Sequence, residues 1–231
     1  MSEPLRPRHR TVLRALGALE ARFLEGAQCY FGGGTRIVLA LGEYRESAGI
    51  DFLCASREGY RAVRGTVGER SLGRIGAAKL KLAREVIADR YGIRTVLEVG
   101  GEKLKFEIIL EARISLSGGA ADGLPVPALD AVSCCAEKVL ANADRWGDES
   151  ALGRDVIDLA FMAARWGREP LRGGLKVATD AYGNVVARAA KRAAAKMLER
   201  AEWRRRCVAA LSLTDTRTLL SGLRVIAAGR W

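Results

Sequence analysis

The chain has 231 residues, of which 49% are hydrophobic and 28% are charged, and this composition excludes a disordered or fibrous protein. Lysine and arginine total 38 against 27 acids, so the formal net charge is +11. Such an excess favours polyanionic partners, although a merely basic surface explains it as well. The five cysteines lack metal-site spacing. The only histidine in the sequence is His9, which is expected in a frayed N-terminus. A single histidine argues against histidine triads and histidine-based metal sites.

Membrane and export signals are absent from the sequence pattern. No apolar run approaches the roughly 20 residues that span a bilayer. The first ten residues, MSEPLRPRHR, lack the apolar core of a secretory signal. We therefore expect a soluble, cytoplasmic protein with no membrane partner.

The first half of the chain mixes helical and strand patterns. Its predicted elements are, in chain order, a helix over 12–25, an apolar stretch at 29–31, a short buried helix over 36–41, a buried strand over 50–54, loop with a short helix over 57–80, and strands over 85–89, 95–99 and 103–113. The last strand alternates apolar and charged residues, which indicates one buried face.

The second half of the chain is predicted to be almost wholly helical. A glycine- and proline-rich break at 117–127 separates the halves. The helices are predicted over 130–146, 153–166, 176–201 and 214–226. We therefore predict an α+β fold, with a mixed sheet and helices in residues 1–125 and an all-helical region in residues 126–231.

A glycine turn precedes the first short helix. Gly33, Gly34 and Thr35 stand where the chain enters this helix, and such a turn brings backbone N–H groups to phosphate oxygens at the positive helix end. Glycine-rich turns are common, so the turn alone is a weak indication of phosphate binding.

Two acids interrupt predicted strands. Asp51 lies between Ile50 and Phe52, and Glu107 has the same position within the strand over 103–113. A carboxylate on a central strand needs a cation or several donors to offset its desolvation. If these strands pair, the two carboxylates can bracket a divalent cation, for which oxygen ligands favour Mg²⁺. The alternative is two solvent-facing acids on an antiparallel sheet.

These residues together resemble the AbiEii-type toxins, a branch of the polymerase-β-like nucleotidyltransferases in bacterial toxin–antitoxin systems. The resemblance rests on a GG[ST] turn, an R-x-S-x-D-I-D segment and a carboxylate on a later strand, matched here by Gly33, Gly34 and Thr35, by Arg45, Ser47 and Asp51, and by Glu107. Two further matches lie in the helical half, at Glu137-Lys138 and at residues 154–158, which reproduce an R-D-x-x-D helix.

The resemblance implies a nucleotidyltransferase-like fold and a role for each matched residue. It implies metal binding by Asp51 and Glu107, catalytic roles for Asp51, Glu107, Lys138 and Asp155, and nucleotide binding by Gly33, Gly34, Thr35, Arg45, Ser47, Lys138 and Asp158. It suggests that Asp155 and Asp158 shape the nucleotide pocket or orient Lys138. The plainer alternatives are an ion pair between Arg154 and Asp158 and a solvated stripe formed by Lys138, Asn142 and Arg145.

The function that the resemblance implies is transfer of a nucleotidyl group from a nucleoside triphosphate to a hydroxyl of an RNA or a protein. The cofactors are Mg²⁺ and the triphosphate, the expected acceptor is tRNA, and an antitoxin protein is an expected partner. A basic stripe at Arg188, Arg192, Lys196 and Arg200, followed by residues 204–206, is either an RNA track or a solubilising face.

One position departs from the resemblance. Gly49 stands where the first metal-binding aspartate is expected. An engineered knock-out, a natural pseudoenzyme and compensation by a neighbour such as Glu46 each explain this departure. The alternatives to an enzyme are a catalytically silent nucleotide- or RNA-binding module on the same fold and an interaction protein without a nucleotide.

Overall fold

The computed structural model describes residues 6–76 and 80–231. Residues 1–5, part of the segment tested for an export signal, and 77–79, part of the predicted loop over 57–80, lie outside the described residues. The chain divides into two compact units, of which the first comprises residues up to Leu39 and Ser47–Asp130, and the second comprises Ala40–Glu46 and Ala131–Trp231. The sequence-based limits of 1–125 and 126–231 stay a prediction.

The first unit is built on one mixed sheet. Its elements are, in chain order, α1 (Pro7–Leu16), α2 (Ala21–Gly26), β1 (Cys29–Gly32), α3 (Gly33–Ala40), β2 (Ile50–Cys54), α4 (Arg57–Arg64), a 3₁₀ turn (Gly73–Ile75), β3 (Lys81–Ala88), β4 (Gly92–Val99), β5 (Glu102–Leu110), β6 (Gly118–Gly119) and β7 (Ala128–Leu129). Within the described residues the strand order is β3-β4-β5-β2-β1-β7-β6. β2 runs parallel to β5 and antiparallel to β1.

The core of this unit lies on one face of the sheet. Phe106 on β5, Phe52 on β2 and Phe31 on β1 are fully buried, and their rings lie in tilted contact with centroids 6.1 and 5.6 Å apart. Leu104 and Ile108 on β5 are also fully buried. The alternation predicted from the sequence for this strand is therefore confirmed, and it leaves the charged residues on the opposite face.

The second unit is helical. Its elements are α5 (Ala131–Arg145), a 3₁₀ turn (Glu149–Ala151), α6 (Arg154–Arg165), α7 (Arg168–Tyr182), α8 (Val185–Glu199), α9 (Ala201–Ala210) and α10 (Thr216–Ala227). A mixed sheet followed in the chain by helices confirms the predicted α+β fold.

Two predicted helices are each two helices in the structure. The helix predicted over 12–25 is interrupted between α1 and α2, where the N–H of Glu20 donates to the carbonyl of Ile75. The helix predicted over 176–201 is interrupted at Gly183, whose φ is 69°, between α7 and α8. Apolar spacing continues across both interruptions, so periodicity alone does not locate them.

We predict that Gly222→Ala destabilises the second unit. Gly222 on α10 is buried, and a Cβ atom there would collide with the backbone of Ala160 on α6. Alanine favours the helix by up to about 1 kcal/mol, but overpacking costs about 1–3 kcal/mol, so the free energy of unfolding should fall in urea denaturation. The control is Ser221→Ala at an exposed site of the same helix, which should not lower it. Equal stability of the two variants would contradict the close packing of α10 on α6.

Candidate active site

Two acidic side chains lie beside each other at the centre of the sheet. β2 and β5 are parallel neighbours, and their register pairs Asp51 with Glu107. Side chains at paired positions project from the same face of a sheet, so the two carboxylates lie side by side. Ile50 and Phe52, which flank Asp51, are buried on the opposite face. The strand pairing on which the sequence prediction depended is therefore present, and the alternative of an antiparallel pair is wrong.

The glycine turn lies against Asp51. Because β1 and β2 are antiparallel, their register sets Gly32 opposite Asp51. The next residue, Gly33, begins α3 with a φ of 67°, which residues with a side chain rarely adopt. A Cβ atom on Gly33 would lie 2.6 Å from Oδ2 of Asp51. Glycine at this position is therefore what allows the carboxylate to lie so close to the start of the helix, whose first turn also contains Gly34.

Position 49 faces the same carboxylate. Gly49 directly precedes β2, and a Cβ atom there would lie 3.3 Å from Oδ2 of Asp51. An aspartate at this position would therefore bring a second carboxylate to the first, as the D-x-D spacing requires.

The donor set at Asp51 and Glu107 fits one divalent cation. Carboxylate oxygens suit Mg²⁺, and the two groups share one face of the sheet. Within residues 6–76 and 80–231, no three histidine, cysteine or acidic residues come together as a metal-binding group. The pair therefore does not supply the ligands of a two-metal centre.

Two cations already hold Glu107. Nε of Arg94 donates to its Oε1 at 2.8 Å, and Nζ of Lys105 donates to its Oε2 at 2.5 Å. The Glu107 side chain is only 12% exposed, whereas that of Lys105 is 65% exposed. A metal ion at this carboxylate therefore competes with two ion pairs, of which the exposed one to Lys105 is the weaker.

Thr35 and Ser47 are joined by a hydrogen bond in the first unit. Their hydroxyl oxygens lie 2.9 Å apart, and Thr35 is buried in α3. The backbone N–H of Ser47 donates to Nε2 of His9 at 3.2 Å. His9 is fully buried on α1, so the expectation of a frayed N-terminus at this residue is wrong. The amphipathic pattern of the first helix, extended back to residue 7, was the signal that could have found it.

The second unit contains a buried ion network centred on Asp158. Nζ of Lys138 on α5 lies 3.0 Å from Oδ1 of Asp155 and 2.9 Å from Oδ2 of Asp158, both on α6. All three side chains are at least nine-tenths buried. The one-turn spacing of the two aspartates sets both carboxylates on the helix face that meets α5.

Residues 40–46 join this network through Arg45. Its guanidinium donates from Nε to Oδ1 of Asp158 at 2.7 Å and from Nη2 to Oδ2 at 2.8 Å. Tyr44 donates its hydroxyl to the same Oδ1 at 2.7 Å, and its ring stacks on Phe161. Arg145 on α5 binds Asp155 through two nitrogens. Arg45 and Asp158 therefore make a buried bidentate ion pair that fastens residues 40–46 to α6.

The network shifts the pKa values of its members in favour of their charged forms. Burial raises the pKa of Asp158, but Arg45 and Lys138 outweigh it, so the carboxyl pKa is lowered overall. Burial likewise raises the pKa of Asp155, and Lys138 and Arg145 lower it further than burial raises it. Burial lowers the pKa of Lys138, and the two aspartates raise it above its ordinary value.

Two plainer alternatives for this region are wrong. Asp158 pairs with Arg45 and Lys138, and Arg154 is exposed without an ion pair to Asp158 among the described residues. Lys138 and Asn142 are buried, so with Arg145 they do not form a solvated stripe.

The basic stripe after residue 188 is interrupted. α8 ends at Glu199, so Arg200 lies outside the helix that carries Arg188 and Arg192. Lys196 pairs with Glu149 and lies over the ring of Trp203, and its side chain is only 18% exposed. Arg204 donates to the carbonyls of Met197 and Leu198, and Arg206 pairs with Glu149. Arg205 pairs with Glu202. Four of its cations therefore have contacts within the second unit, and the predicted continuous helix over 176–201 is absent.

The predicted site residues fall into two groups. Gly33, Gly34, Thr35, Ser47, Asp51 and Glu107 belong to the first unit, and Arg45, Lys138, Asp155 and Asp158 belong to the second. Within each group the structure brings the residues together. The sequence analysis missed His9, Arg94, Lys105 and Tyr44, which hold the predicted residues in place.

A sequence model described as nucleotidyl transferase AbiEii toxin, type IV toxin–antitoxin system, matches residues 14–221. The chain belongs to this AbiEii nucleotidyltransferase toxin family, as its motifs predicted.

One solved structure is similar to the chain over most of its length. It is the crystal structure of an antigenic nucleotidyltransferase-like protein from Paracoccidioides brasiliensis, with 12% identity and a TM-score of 0.40. The match covers 78% of this chain and 92% of that one. No curated protein matches the chain. Among the described residues, no helix combines the length and apolar character needed to cross a membrane.

We predict that Asp158→Asn destabilises the protein strongly. The substitution leaves Arg45 and Lys138 buried without their shared carboxylate, and breaking a buried ion pair costs about 3–5 kcal/mol. The free energy of unfolding should fall by that amount in urea denaturation. The matched control is Asp180→Asn, which breaks an exposed pair with Lys176 and should change it by less than about 1 kcal/mol. A similar small effect of both variants would contradict the network.

We predict that the network also makes the protein acid-sensitive. The folded-state pKa values of Asp155 and Asp158 are lowered. Their stabilisation is therefore complete above the unfolded pKa of about 3.9 and is lost as the pH falls through the folded values. As the pH is lowered below about 4, the free energy of unfolding should decrease, and it should decrease less steeply in Asp155→Asn than in the wild type. Measurements at pH 7, 5, 4 and 3 test this, and equal slopes would contradict it.

Proposed function

We propose that this protein transfers a nucleotidyl group from a nucleoside triphosphate to a hydroxyl of an RNA, with release of pyrophosphate and with tRNA as the acceptor, and that Gly49 keeps this transfer slow. Family membership supports nucleotidyl transfer as the reaction class. The observation that carries the proposal is the adjacency of Asp51 and Glu107 beside the Gly33 turn. The net charge of +11 supports a polyanionic acceptor.

The start of α3 is suited to the triphosphate. The N–H groups in the first turn of a helix have no helical partners and point at an anion. Gly33 and Gly34 carry no side chain that would keep a phosphate away from this backbone. Thr35 and Ser47, joined by their hydroxyls, fix the first turn of α3 to the residues before β2.

Asp51 and Glu107 are the proposed ligands of one Mg²⁺. When bound, the ion supplies positive charge that neutralises the phosphate oxygens and favours attack by a hydroxyl. Arg94 and Lys105 hold the Glu107 carboxylate in position beside Asp51. Lys105, as the more exposed cation, is the one that is free to turn towards a phosphate.

Lys138, Asp155, Asp158 and Arg45 are proposed to act by positioning. The ammonium of Lys138 contacts two carboxylates, so direct binding of a phosphate would require it to leave both. This supports the sequence-based suggestion that Asp155 and Asp158 orient Lys138. Nε and Nη2 of Arg45 both donate to Asp158, which supports the same positioning role for Arg45.

Membership of a toxin–antitoxin family implies an antitoxin protein as a further partner. A second candidate function is a silent nucleotide-binding module. The two ion pairs that engage Glu107, together with Gly49, favour this second candidate.

We predict that Gly49→Asp raises nucleotidyl transfer. The new carboxylate would lie beside Asp51, and a single electrostatic group in an active site contributes about 10²–10³-fold to a rate. Label transfer from each of the four α-labelled nucleoside triphosphates to total tRNA with Mg²⁺ should increase by about that factor over the wild type. The added like charge should also make the thermal stability of this variant more dependent on Mg²⁺ than that of the wild type.

Two variants serve as controls for this experiment. Gly49→Asn has the same size without the charge and should remain at the wild-type rate. Asp51→Asn in the Gly49→Asp background should abolish both the transfer and the Mg²⁺ effect on stability. Nucleotide binding without transfer by Gly49→Asp would favour the silent module, and no binding by any variant would reject both candidates.

A further inference from the structure

A basic groove lies on the first unit, and none of the motif residues of this unit lines it. α4, the turn between β3 and β4, and the end of β5 surround a groove of about 760 Å³. Its described lining contains no acidic residue, and its polar part consists mainly of Arg57, Arg61, Arg64, Arg90, Arg94 and Tyr91.

Three of these arginines form a stripe on α4. Arg57, Arg61 and Arg64 are spaced by four and three residues, so they share one helix face. Tyr60 and Val63 are buried on the face that packs on the core. The three arginines are exposed, and no carboxylate among the described residues forms an ion pair with them. Their charge is therefore available to a ligand.

An exposed aromatic ring stands at the other side of the groove. Tyr91 is 58% exposed, and the guanidinium of Arg90 lies 4.6 Å from its ring centre. The turn that carries Tyr91 is fixed, because Oδ1 of Asp89 accepts the N–H groups of Tyr91 and Gly92 at 2.7 and 3.0 Å. A rigid aromatic face beside arginines is how proteins stack unpaired bases.

The groove adjoins the carboxylate pair. Arg94 lines the groove and also forms the ion pair with Glu107. Ile109, another lining residue, lies two positions after Glu107 on β5 and therefore on the same face of the sheet. The groove therefore borders the residues proposed for the transfer.

We propose that this groove binds a single-stranded segment of RNA, with its phosphates on the α4 arginines and a base stacked on Tyr91. The choice of RNA rests on the proposed function, whereas the single-stranded character rests on the exposed ring. Arg94 is paired with Glu107 and Asp89, but the other four lining arginines form no ion pair among the described residues. Phosphates suit these four, because each guanidinium offers paired N–H donors to an oxyanion.

The test is fluorescence anisotropy with a labelled single-stranded 12-nucleotide RNA, without nucleoside triphosphate or metal. Arg57→Glu/Arg61→Glu should weaken binding by at least about tenfold and reduce the salt slope by about 1.4, the value for two lost phosphate contacts on a single strand. The matched control is Arg168→Glu/Arg172→Glu, an equal charge change at the same spacing on exposed positions of α7. This control should bind nearly as the wild type does.

Tyr91→Ala should weaken RNA binding by about 5- to 150-fold with an unchanged salt slope. Tyr91→Phe keeps the ring and should bind the RNA as the wild type does. Equal losses in the two double variants would overturn the proposal in favour of a general charge effect. Equal affinity for a 12-base-pair duplex would overturn the stacking role. Binding of a polyglutamate peptide in place of the RNA, sensitive to Arg57→Glu/Arg61→Glu, would assign the groove to an acidic protein instead. The assay contains no nucleoside triphosphate and no metal. It therefore reports RNA binding even if the protein transfers no nucleotidyl group.

Discussion

Parallel pairing of β2 with β5 is the constraint on which the candidate site depends. These strands are 48 or more residues apart in sequence, and only their register sets Asp51 beside Glu107. The same strand β2 is paired on its other side with β1, which brings Gly33 against Asp51. A shift of one residue in either register would send the carboxylate to the core face, where it would lose solvent and every partner. Buried Ile50 and Phe52 oppose that shift.

The two units differ in how deeply their ion-paired carboxylates are buried. In the second unit, Asp155 and Asp158 are buried and are balanced by lysine and arginine at hydrogen-bond distance. In the first unit, Glu107 is held by Arg94 and Lys105 near the surface. The buried network stabilises a fixed arrangement, because a charge removed from water requires its partners at all times. The Lys105 side chain at Glu107 is 65% exposed, so little free energy is needed to break this ion pair.

The residues on which the resemblance was based lie together in the first unit. They are the glycine turn, the carboxylate on β2 and the later carboxylate on β5. Gly49 is the exception, and the structure gives its consequence, because the missing carboxylate would face Asp51 directly. The arginine groove at α4 adds a second basic surface that no motif indicated, since its members are scattered over three elements.

Periodicity, composition and motif spacing determined the strands, the mixed sheet followed by helices, and the acids at positions 51 and 107, because these are local features of the chain. The limit of the helix at Glu20 and the burial of His9 depended on contacts with distant segments. The partners of the charged residues did so as well: Asp158 pairs with Arg45, which is 113 residues away, rather than with Arg154 one turn away. Helical spacing offers neighbours on one element, whereas tertiary packing decides which charge is buried and must therefore be paired.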